Sequence, residues 1–407
     1  MHTNLTPDFE NDGRNSTVKI KPLNREINQE KLEQKSPSKI ALADDVNWAE
    51  RNEYWLKKTP IKSQRFLKRA GVRQVLILSG HGVHLRVDHG SLLVRNGFTH
   101  YPQQQETWQF FPGDWRLPSR IVLLDVDGSI SFHALSWLSI HEIPLVQINW
   151  RGEVTNIIGT SFRVTDSVLT KNQLAARTNG WGLRFARQLI LDKTKNSIET
   201  LRLALPKSDD VNWAIKKLRK SFSHLKRRVP ADYSRLMGTE GLVGSVYFKA
   251  WRSCSINWKG IDQYQIPEDW HRIGPRTSKV GDKHQRNYRA THPVNSILNY
   301  GYAVLENQIR MQIVARGFDP TIGYLHGQRH GKHGLVLDLM EPMRPIVDRK
   351  VLKFVQRQTF APGDFTLLNN GVCRLNPQLA RNVVRAIDVS EDIEISVGRF
   401  VAALNPR

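Results

Sequence analysis

The sequence contains very little cysteine and no long apolar run, and both absences narrow the class of protein. Cys254 and Cys373 are the only cysteines in 407 residues, so the sequence indicates neither a disulfide framework nor a CxxC zinc site. We therefore expect a protein of the reducing cytoplasm, with a single bridge between these two residues as the alternative. No stretch approaches the roughly 18 apolar residues of a membrane helix, and the polar N-terminus lacks the apolar core of a secretory signal.

Acidic residues are also few relative to basic ones. The chain has 38 Asp and Glu against 60 Lys and Arg, which gives a formal net charge of +22. Such an excess favours a polyanionic ligand, and nucleic acid is the leading candidate. An anionic membrane is the rival, but no long basic amphipathic segment with an apolar face is present. A surface that is basic only for solubility is the remaining alternative.

Two segments concentrate the basic residues, and we predict that both contact DNA phosphates. The first segment spans 216–228, and the second, spanning 271–292, has almost no apolar anchors and is predicted to be a loop. The predicted DNA-binding residues are Lys216, Lys217, Arg219, Lys220, Lys226, Arg227, Arg228, Arg286 and Arg289. A merely solvated basic face is the alternative for each segment.

The pattern of apolar residues predicts an α+β fold, with a small β-rich domain followed by a larger all-α domain. Residues 1–68 read as a partly disordered N-terminal extension that contains one short helix ending near Lys58. Residues 69–162 are predicted to be β-rich, because Val83, Leu85 and Val87 alternate with polar residues. Residues 163–407 change to a three- and four-residue apolar period, which predicts helices.

Glu240 is the first candidate for chemistry. It lies in a predicted helix from Tyr233 to Trp251, four residues after Leu236 and three before Val243. This spacing places the carboxylate on or beside an apolar stripe, where a charge is costly unless it is paired or binds a metal. A surface glutamate in a glycine-rich helix is the alternative.

Asp338 and Glu341 form the second candidate, within a predicted helix from Leu335 to Val355. Their three-residue spacing places both carboxylates on one face of a helix, and the surrounding residues are strongly apolar. Two adjacent carboxylates repel each other unless a cation lies between them. Oxygen ligands of this kind suit Mg²⁺ or Mn²⁺. An ordinary pair on a solvated face is the alternative.

His326 is the third candidate. It lies at the end of a predicted loop that contains glycine and proline, and it precedes Asp338 and Glu341 in the sequence by 12 and 15 residues. An imidazole there is suited to ligating a metal or moving protons. His330 and His333 follow and raise the alternative of a zinc site. Their basic neighbours and the scarcity of cysteine favour a solvated loop for these two residues.

Four ordered blocks of the sequence resemble a known family. The blocks are Leu236–Tyr247, Asn295–Glu306, Gly317–His326 and Asp338–Pro345. Together they are similar to the signature blocks of the CRISPR-associated integrase, Cas-one. The resemblance covers roughly residues 72–390, and the extension before residue 68 has no counterpart in it.

The resemblance implies both an activity and a set of site residues. It implies insertion of short DNA fragments into a CRISPR repeat array by transesterification during spacer acquisition. Glu240, His326 and Glu341 would ligate the metal, and Asp338 would be a neighbouring catalytic acid that positions or charge-balances the site. Glu341 occupies a position that is often Asp in relatives. The resemblance further implies an N-terminal β-domain, a homodimer formed through that domain, binding of double-stranded and branched DNA, and a second CRISPR adaptation protein as partner.

Three alternative functions remain at this stage. The chain could be a stand-alone or transposon-encoded relative that integrates other DNA ends. It could be a non-catalytic basic DNA-binding protein, although the intact acidic positions argue against this. It could also be a zinc-dependent nuclease that uses His326, His330 and His333.

Overall fold

The computed structural model describes residues 45–58, 74–99, 104–158, 166–276, 289–327, 333–387 and 389–404. Within these residues a β-rich region precedes a larger, mostly helical region, so the predicted fold class is confirmed. The helical region also contains two short two-stranded sheets. Most of the predicted N-terminal extension, together with Arg286 and His330, lies outside the described residues.

Six strands form the sheet of the β-rich region, in the order β3-β2-β1-β4-β5-β6. The strands are β1 (Val75–Asp88), β2 (Ser91–Arg95), β3 (Thr107–Phe110), β4 (Arg120–Ile130), β5 (Leu145–Ile148) and β6 (Val154–Ile158). The inner pairs β1–β4 and β4–β5 are parallel, whereas β1–β2, β2–β3 and β5–β6 are antiparallel. The alternating residues Val83, Leu85 and Val87 lie in the second half of β1, a long strand that stays paired with β4 through an irregularity beside Gly80.

The two faces of the sheet contribute to two different cores. Leu78 and Ile121 pack in a cluster with helix α2 (Phe132–Ile140), which covers one face. Ile77 and Val122, one residue along each strand, belong to the core of the helical region. The alternation follows from the two-residue period of a strand, and it fixes the sheet directly against the helices.

The helical region is built around one central helix. Its helices are α3 (Ser167–Thr178), α4 (Trp181–Ala204), α5 (Asp209–Arg227), α6 (Tyr233–Lys249), α7 (Pro293–Ala315), α8 (Gly334–Met340), α9 (Arg344–Arg357), α10 (Pro377–Ala386) and α11 (Ser390–Leu404). Helix α7 is buried on nearly every side, as expected for a helix in the middle of a bundle, and α8, α9, α10 and α11 pack around it. The short strands are β7 (Asn257–Trp258), β8 (Thr359–Phe360), β9 (Phe365–Leu367) and β10 (Cys373–Leu375).

The helix predicted in the N-terminal extension is present as α1 (Asp45–Lys57) and packs on the helical region. Arg51 makes a two-pronged contact with buried Asp364, at 2.7 and 2.9 Å. The Trp55 indole also donates to Asp364, and its backbone carbonyl accepts from Asn382. Because these partners are buried, α1 is part of the core of this region.

The predicted continuous helix from Leu335 to Val355 is wrong. The structure has two helices, α8 and α9, separated by residues 341–343. Pro342 has no N–H group and therefore cannot continue the hydrogen-bond ladder of α8. Glu341 keeps helical backbone angles, and its N–H donates to the Asp338 carbonyl three residues back, which tightens the last turn. This break determines where the Glu341 side chain points.

None of the helices in the described ranges is both long and apolar enough to span a membrane.

Candidate active site

His326 lies between the two carboxylates that the sequence placed side by side. Its Nδ1 is 2.9 Å from Asp338 Oδ1, and its Nε2 is 3.9 Å from Glu341 Oε1. The two carboxylates therefore do not contact each other directly in the way that their three-residue spacing suggested. Each contacts a different ring nitrogen of the same imidazole.

Asp338 is fully buried and organises the loop that carries His326. Its Oδ2 accepts from the backbone N–H groups of Tyr324 and Leu325 at 2.5 and 3.0 Å, and its Oδ1 accepts from the N–H of His326 at 2.8 Å. The loop approaches α8 closely, since a Cβ on Gly323 would lie only 2.5 Å from the Gly334 carbonyl carbon. Asp338 therefore holds both the backbone and the ring of His326.

Helix α4 holds the turn between α8 and α9, and so positions Glu341. The Asn196 amide donates to the carbonyl of Pro342 at 2.7 Å, and the Thr200 hydroxyl donates to that of Pro345 at 2.6 Å. Asn196 thus satisfies a carbonyl group at the helix break itself, and Thr200 ties α4 to the first turn of α9. Glu341, at the C-terminal end of α8, has a side chain only 4% exposed.

Lys193 of α4 joins the two predicted acidic ligands. Its Nζ is 2.5 Å from Glu341 Oε2 and also donates to Oε1 of Glu240 on α6. Three helices thus converge on one ammonium group. Arg344, at the start of α9, lies on the other side of Glu341, with its Nε 3.3 Å from Oε1.

The electrostatics of Glu341 follow from this arrangement. Burial alone would raise the pKa of its carboxyl, but the charges of Lys193 and Arg344, with a smaller contribution from His326, lower the pKa to about 2. Glu341 is therefore held as a carboxylate near neutral pH despite being buried.

A cavity of about 700 Å³ opens beside this cluster. The lining includes Lys193, Glu240, Glu341 and Arg344 from the helices, and residues 151–155 of the β5–β6 hairpin. The hairpin is held against α7 by a close backbone approach. Gly152 has φ +77°, and a Cβ there would lie 2.7 Å from the carbonyl carbon of Asn299. The cavity thus lies where the sheet meets the helices.

The donor set of this cluster fits Mg²⁺ or Mn²⁺ in chemical type. Within the described part of the chain, no three His, Cys, Asp or Glu side chains are grouped closely enough to hold a metal ion jointly. The Glu240 and Glu341 carboxylates already meet around one cation, the ammonium of Lys193. The Nε2 of His326 faces Glu341 while its Nδ1 contacts Asp338, which is the usual arrangement of a ligating histidine. Two carboxylates and one imidazole therefore suit a hard divalent cation.

His333 does not lie in a solvated loop, as the sequence suggested. It is half-buried at the N-terminal end of α8 and lines the same cavity as Glu240 and Glu341. Burial, reinforced by the charge of Arg310, lowers the pKa of His333 and favours the neutral ring. The difference arises because Gly334 begins a helix whose next residue, Leu335, is fully buried.

The first basic segment forms an exposed face of α5 and the residue that follows it. The exposed basic side chains are Lys216, Lys217, Arg219, Lys220, Lys226, Arg227 and Arg228. The opposite face buries Val211, Ala214 and Leu218 against α4 and α6, the helices that carry Lys193 and Glu240. Arg289 is half-buried.

Lys193 is the site residue that the sequence interpretation missed, although a signal for it was present. It lies four residues after Leu189 and three after Ile190, both of which are buried. A lysine on the apolar stripe of a helix requires a buried counter-charge, by the argument that singled out Glu240. Arg344 lies beyond the helix break and gave no comparable signal.

Comparison with known proteins identifies the family to which this chain belongs. The family model described as "CRISPR associated protein Cas1" matches residues 76–388. This chain belongs to the Cas1 family. Among curated Cas1 proteins, "CRISPR-associated endonuclease Cas1 1" of Pyrobaculum aerophilum is 27% identical over 292 residues, covering 71% of this chain and 84% of the relative.

Solved structures share the Cas1 fold. A "Casposase bound to integration product" has a TM-score of 0.63 and 23% identity, covering 81% of this chain and 90% of that one. A CAS1 protein from Thermotoga maritima has a TM-score of 0.59 and 18% identity, covering 81% and 96%. A "Cas6-RT-Cas1--Cas2 complex" has a TM-score of 0.61 and 17% identity, covering 86% of this chain and 36% of that chain. At these identities the likeness concerns the fold.

Proposed function

We propose that this Cas1 family member is a metal-dependent DNA endonuclease and integrase that inserts short DNA fragments into a CRISPR repeat array. The observation that carries the proposal is the convergence of His326, Glu240 and Glu341 beside a cavity at the junction of sheet and helices. The name "CRISPR-associated endonuclease" of the Pyrobaculum aerophilum relative supports the same activity.

The reaction is a phosphodiester transesterification. The 3′-hydroxyl of the fragment attacks a phosphodiester at the edge of a repeat, a new P–O bond forms, and the former 3′-oxygen of the repeat strand leaves. When bound, Mg²⁺ or Mn²⁺ supplies Lewis-acid stabilisation of the charge that develops on the phosphoryl, attacking and leaving oxygens. No side-chain nucleophile is needed, because the nucleophile belongs to DNA or, in hydrolysis, to water.

Residues of the chain bind the metal, orient its ligands and contact the DNA phosphate. Glu240, Glu341 and His326 Nε2 are the proposed ligands. Asp338 keeps Nε2 of His326 turned toward Glu341 by contacting Nδ1 and the loop backbone. Arg344, beside Glu341, adds positive charge at the cavity wall, where a DNA phosphate would enter.

The basic face of α5 is proposed to hold double-stranded and branched DNA through its phosphates. Seven exposed basic side chains on one surface give affinity without base recognition. The integration product bound to the casposase, a protein of the same fold, supports a DNA product of this kind.

A homodimer and a second adaptation protein complete the proposal. Helix α2 of the β-rich region exposes 87% of Phe132 and 76% of Ile140, apolar area that a second copy would cover. The "Cas6-RT-Cas1--Cas2 complex" supports a Cas2 protein as the partner. Sedimentation of wild type against Phe132→Ser tests the dimer, which the substitution is expected to weaken.

A strand-transfer assay on plasmids with and without a repeat array tests the activity. Glu240→Gln and His326→Ala should abolish transfer in Mg²⁺ or Mn²⁺ while DNA affinity stays near that of wild type, and exposed Glu394→Gln should behave as wild type. Full activity of either site variant would refute the assignment. Equal transfer into both plasmids would favour the integration of other DNA ends. Absence of transfer by the wild-type protein would favour a non-catalytic DNA-binding protein, and activity that depends on stoichiometric zinc would favour a zinc nuclease.

A further inference from the structure

Lys193 has an unusual position for a lysine. Its side chain is 11% exposed, and its Nζ contacts two carboxylates, Glu341 Oε2 at 2.5 Å and Glu240 Oε1. A surface lysine keeps its ammonium in water, whereas this one is directed into the protein between α6 and α8. The neighbouring residues of α4, Leu189 and Ile190, are buried in the core.

The ammonium compensates a repulsion that the fold otherwise creates. Two carboxylates brought together in a partly buried site repel each other, and burying either without a counter-charge is costly. Removing one member of such a cluster leaves an uncompensated charge, which is strongly destabilising. Arg344 contacts Glu341, whereas Lys193 contacts both carboxylates and therefore supplies the positive charge between Glu240 and Glu341 when no metal ion is bound.

The same two carboxylates are the proposed metal ligands, so this inference rests on the proposed function. A divalent ion and an ammonium group cannot both occupy the space between them. A lysine ammonium can be displaced readily, because it is a compact charged group on a flexible four-carbon stem. The adjoining cavity, which Lys193 also lines, provides room for the side chain to move.

We propose that Lys193 is a resident cation, which holds Glu240 and Glu341 together in the metal-free protein and is displaced from them when Mg²⁺ or Mn²⁺ binds. It is a positioning residue that preserves the geometry of the site until the metal arrives. It also weakens metal affinity, because part of the binding energy is used to separate the ammonium from the carboxylates. A purely structural lysine would have the opposite effect, since its loss would loosen the site and weaken binding.

The experiment compares Lys193→Met with Lys195→Met, which removes an exposed lysine two residues along the same helix. Mn²⁺ affinity is measured by calorimetric titration without DNA, and the thermal midpoint is measured in chelator and in saturating Mn²⁺. We expect Lys193→Met to bind Mn²⁺ about tenfold more tightly, equivalent to about 1.4 kcal/mol. In chelator, the thermal midpoint of Lys193→Met should lie below that of wild type, and saturating Mn²⁺ should restore most of this difference. Lys195→Met should match wild type in both conditions.

A measurement on the wild-type protein does not depend on the variant folding. Lysine acetylation, read by mass spectrometry, should modify Lys193 slowly in chelator and several-fold faster in Mn²⁺, with Lys195 equally reactive in both. Unchanged Lys193 reactivity, or weaker or equal Mn²⁺ binding by Lys193→Met, would overturn the inference and leave the proposed function intact. If wild type binds Mn²⁺ no better than Glu240→Gln, the metal site itself is wrong and both proposals fail.

Discussion

Replacing Asp338 by Asn tests whether this buried carboxylate organises the site. Its Oδ2 accepts from two backbone N–H groups, those of Tyr324 and Leu325, and its Oδ1 contacts the backbone N–H and the Nδ1 of His326. An asparagine keeps the shape of the side chain but turns one oxygen into an NH₂ group, which cannot accept. One orientation of the amide loses the backbone donors of Tyr324 and Leu325. The other loses the backbone donor of His326, together with the contact to its Nδ1 when that nitrogen carries the proton.

The magnitude follows from the burial of Asp338, which is 0% exposed. Each buried donor left without an acceptor costs about 1–3 kcal/mol, so two donors cost about 2–6 kcal/mol. The imidazole of His326 also loses its charged partner. Removal of such an outer partner typically weakens metal affinity about 10- to 100-fold.

Urea unfolding and calorimetric titration with Mn²⁺ measure the two effects. Asp319→Asn is the matched control, since Asp319 lies in the same loop but is partly exposed, and its Oδ1 accepts from the backbone N–H and the hydroxyl of Thr321. We expect Asp338→Asn to lower the free energy of unfolding by at least about 2 kcal/mol and the control to lower it by less than about 1 kcal/mol. Equal effects of the two substitutions on both stability and Mn²⁺ affinity would refute the reasoning.

The remaining predictions concern other parts of the molecule. DNA affinity should fall with salt at a log-log slope of about −0.9 per phosphate contact. Gln at the seven basic positions of the segment 216–228 should flatten that slope in a fluorescence-anisotropy titration. Burial raises the pKa of Asp348 to about 6, so the stability it contributes is fully present below 3.8 and is lost as pH rises through about 6. Asp348→Asn should remove that loss between pH 4 and 7 in urea unfolding. Arg51→Ala leaves Asp364 without its cation and should cost about 3–5 kcal/mol, seen as a lower thermal midpoint. His333→Gln should reduce strand transfer modestly and leave metal content, read by elemental analysis, unchanged.

The sequence determined the features that depend on local pattern. The period of apolar residues predicted the β-rich region and the helical region, because burial on one face of a strand or helix imposes its own spacing. Helix α1 was predicted from local start and stop signals, the capping residues near Asp45 and the proline at position 60. Charge density alone pointed to a basic surface, and the seven basic residues of 216–228 are all exposed. The resemblance of four short blocks indicated the family, which the match over residues 76–388 then established.

Only the tertiary structure decided how the site residues relate to one another. The three-residue spacing of Asp338 and Glu341 suggested a pair sharing one cation, but Pro342 ends the helix and His326 lies between the two carboxylates. Lys193 is 47 residues from Glu240 and 148 from Glu341 along the chain, so no local pattern connects them. Contacts of this range arise when helices pack. Local sequence fixes which face of each helix is buried, whereas the meeting of these buried faces depends on the whole chain.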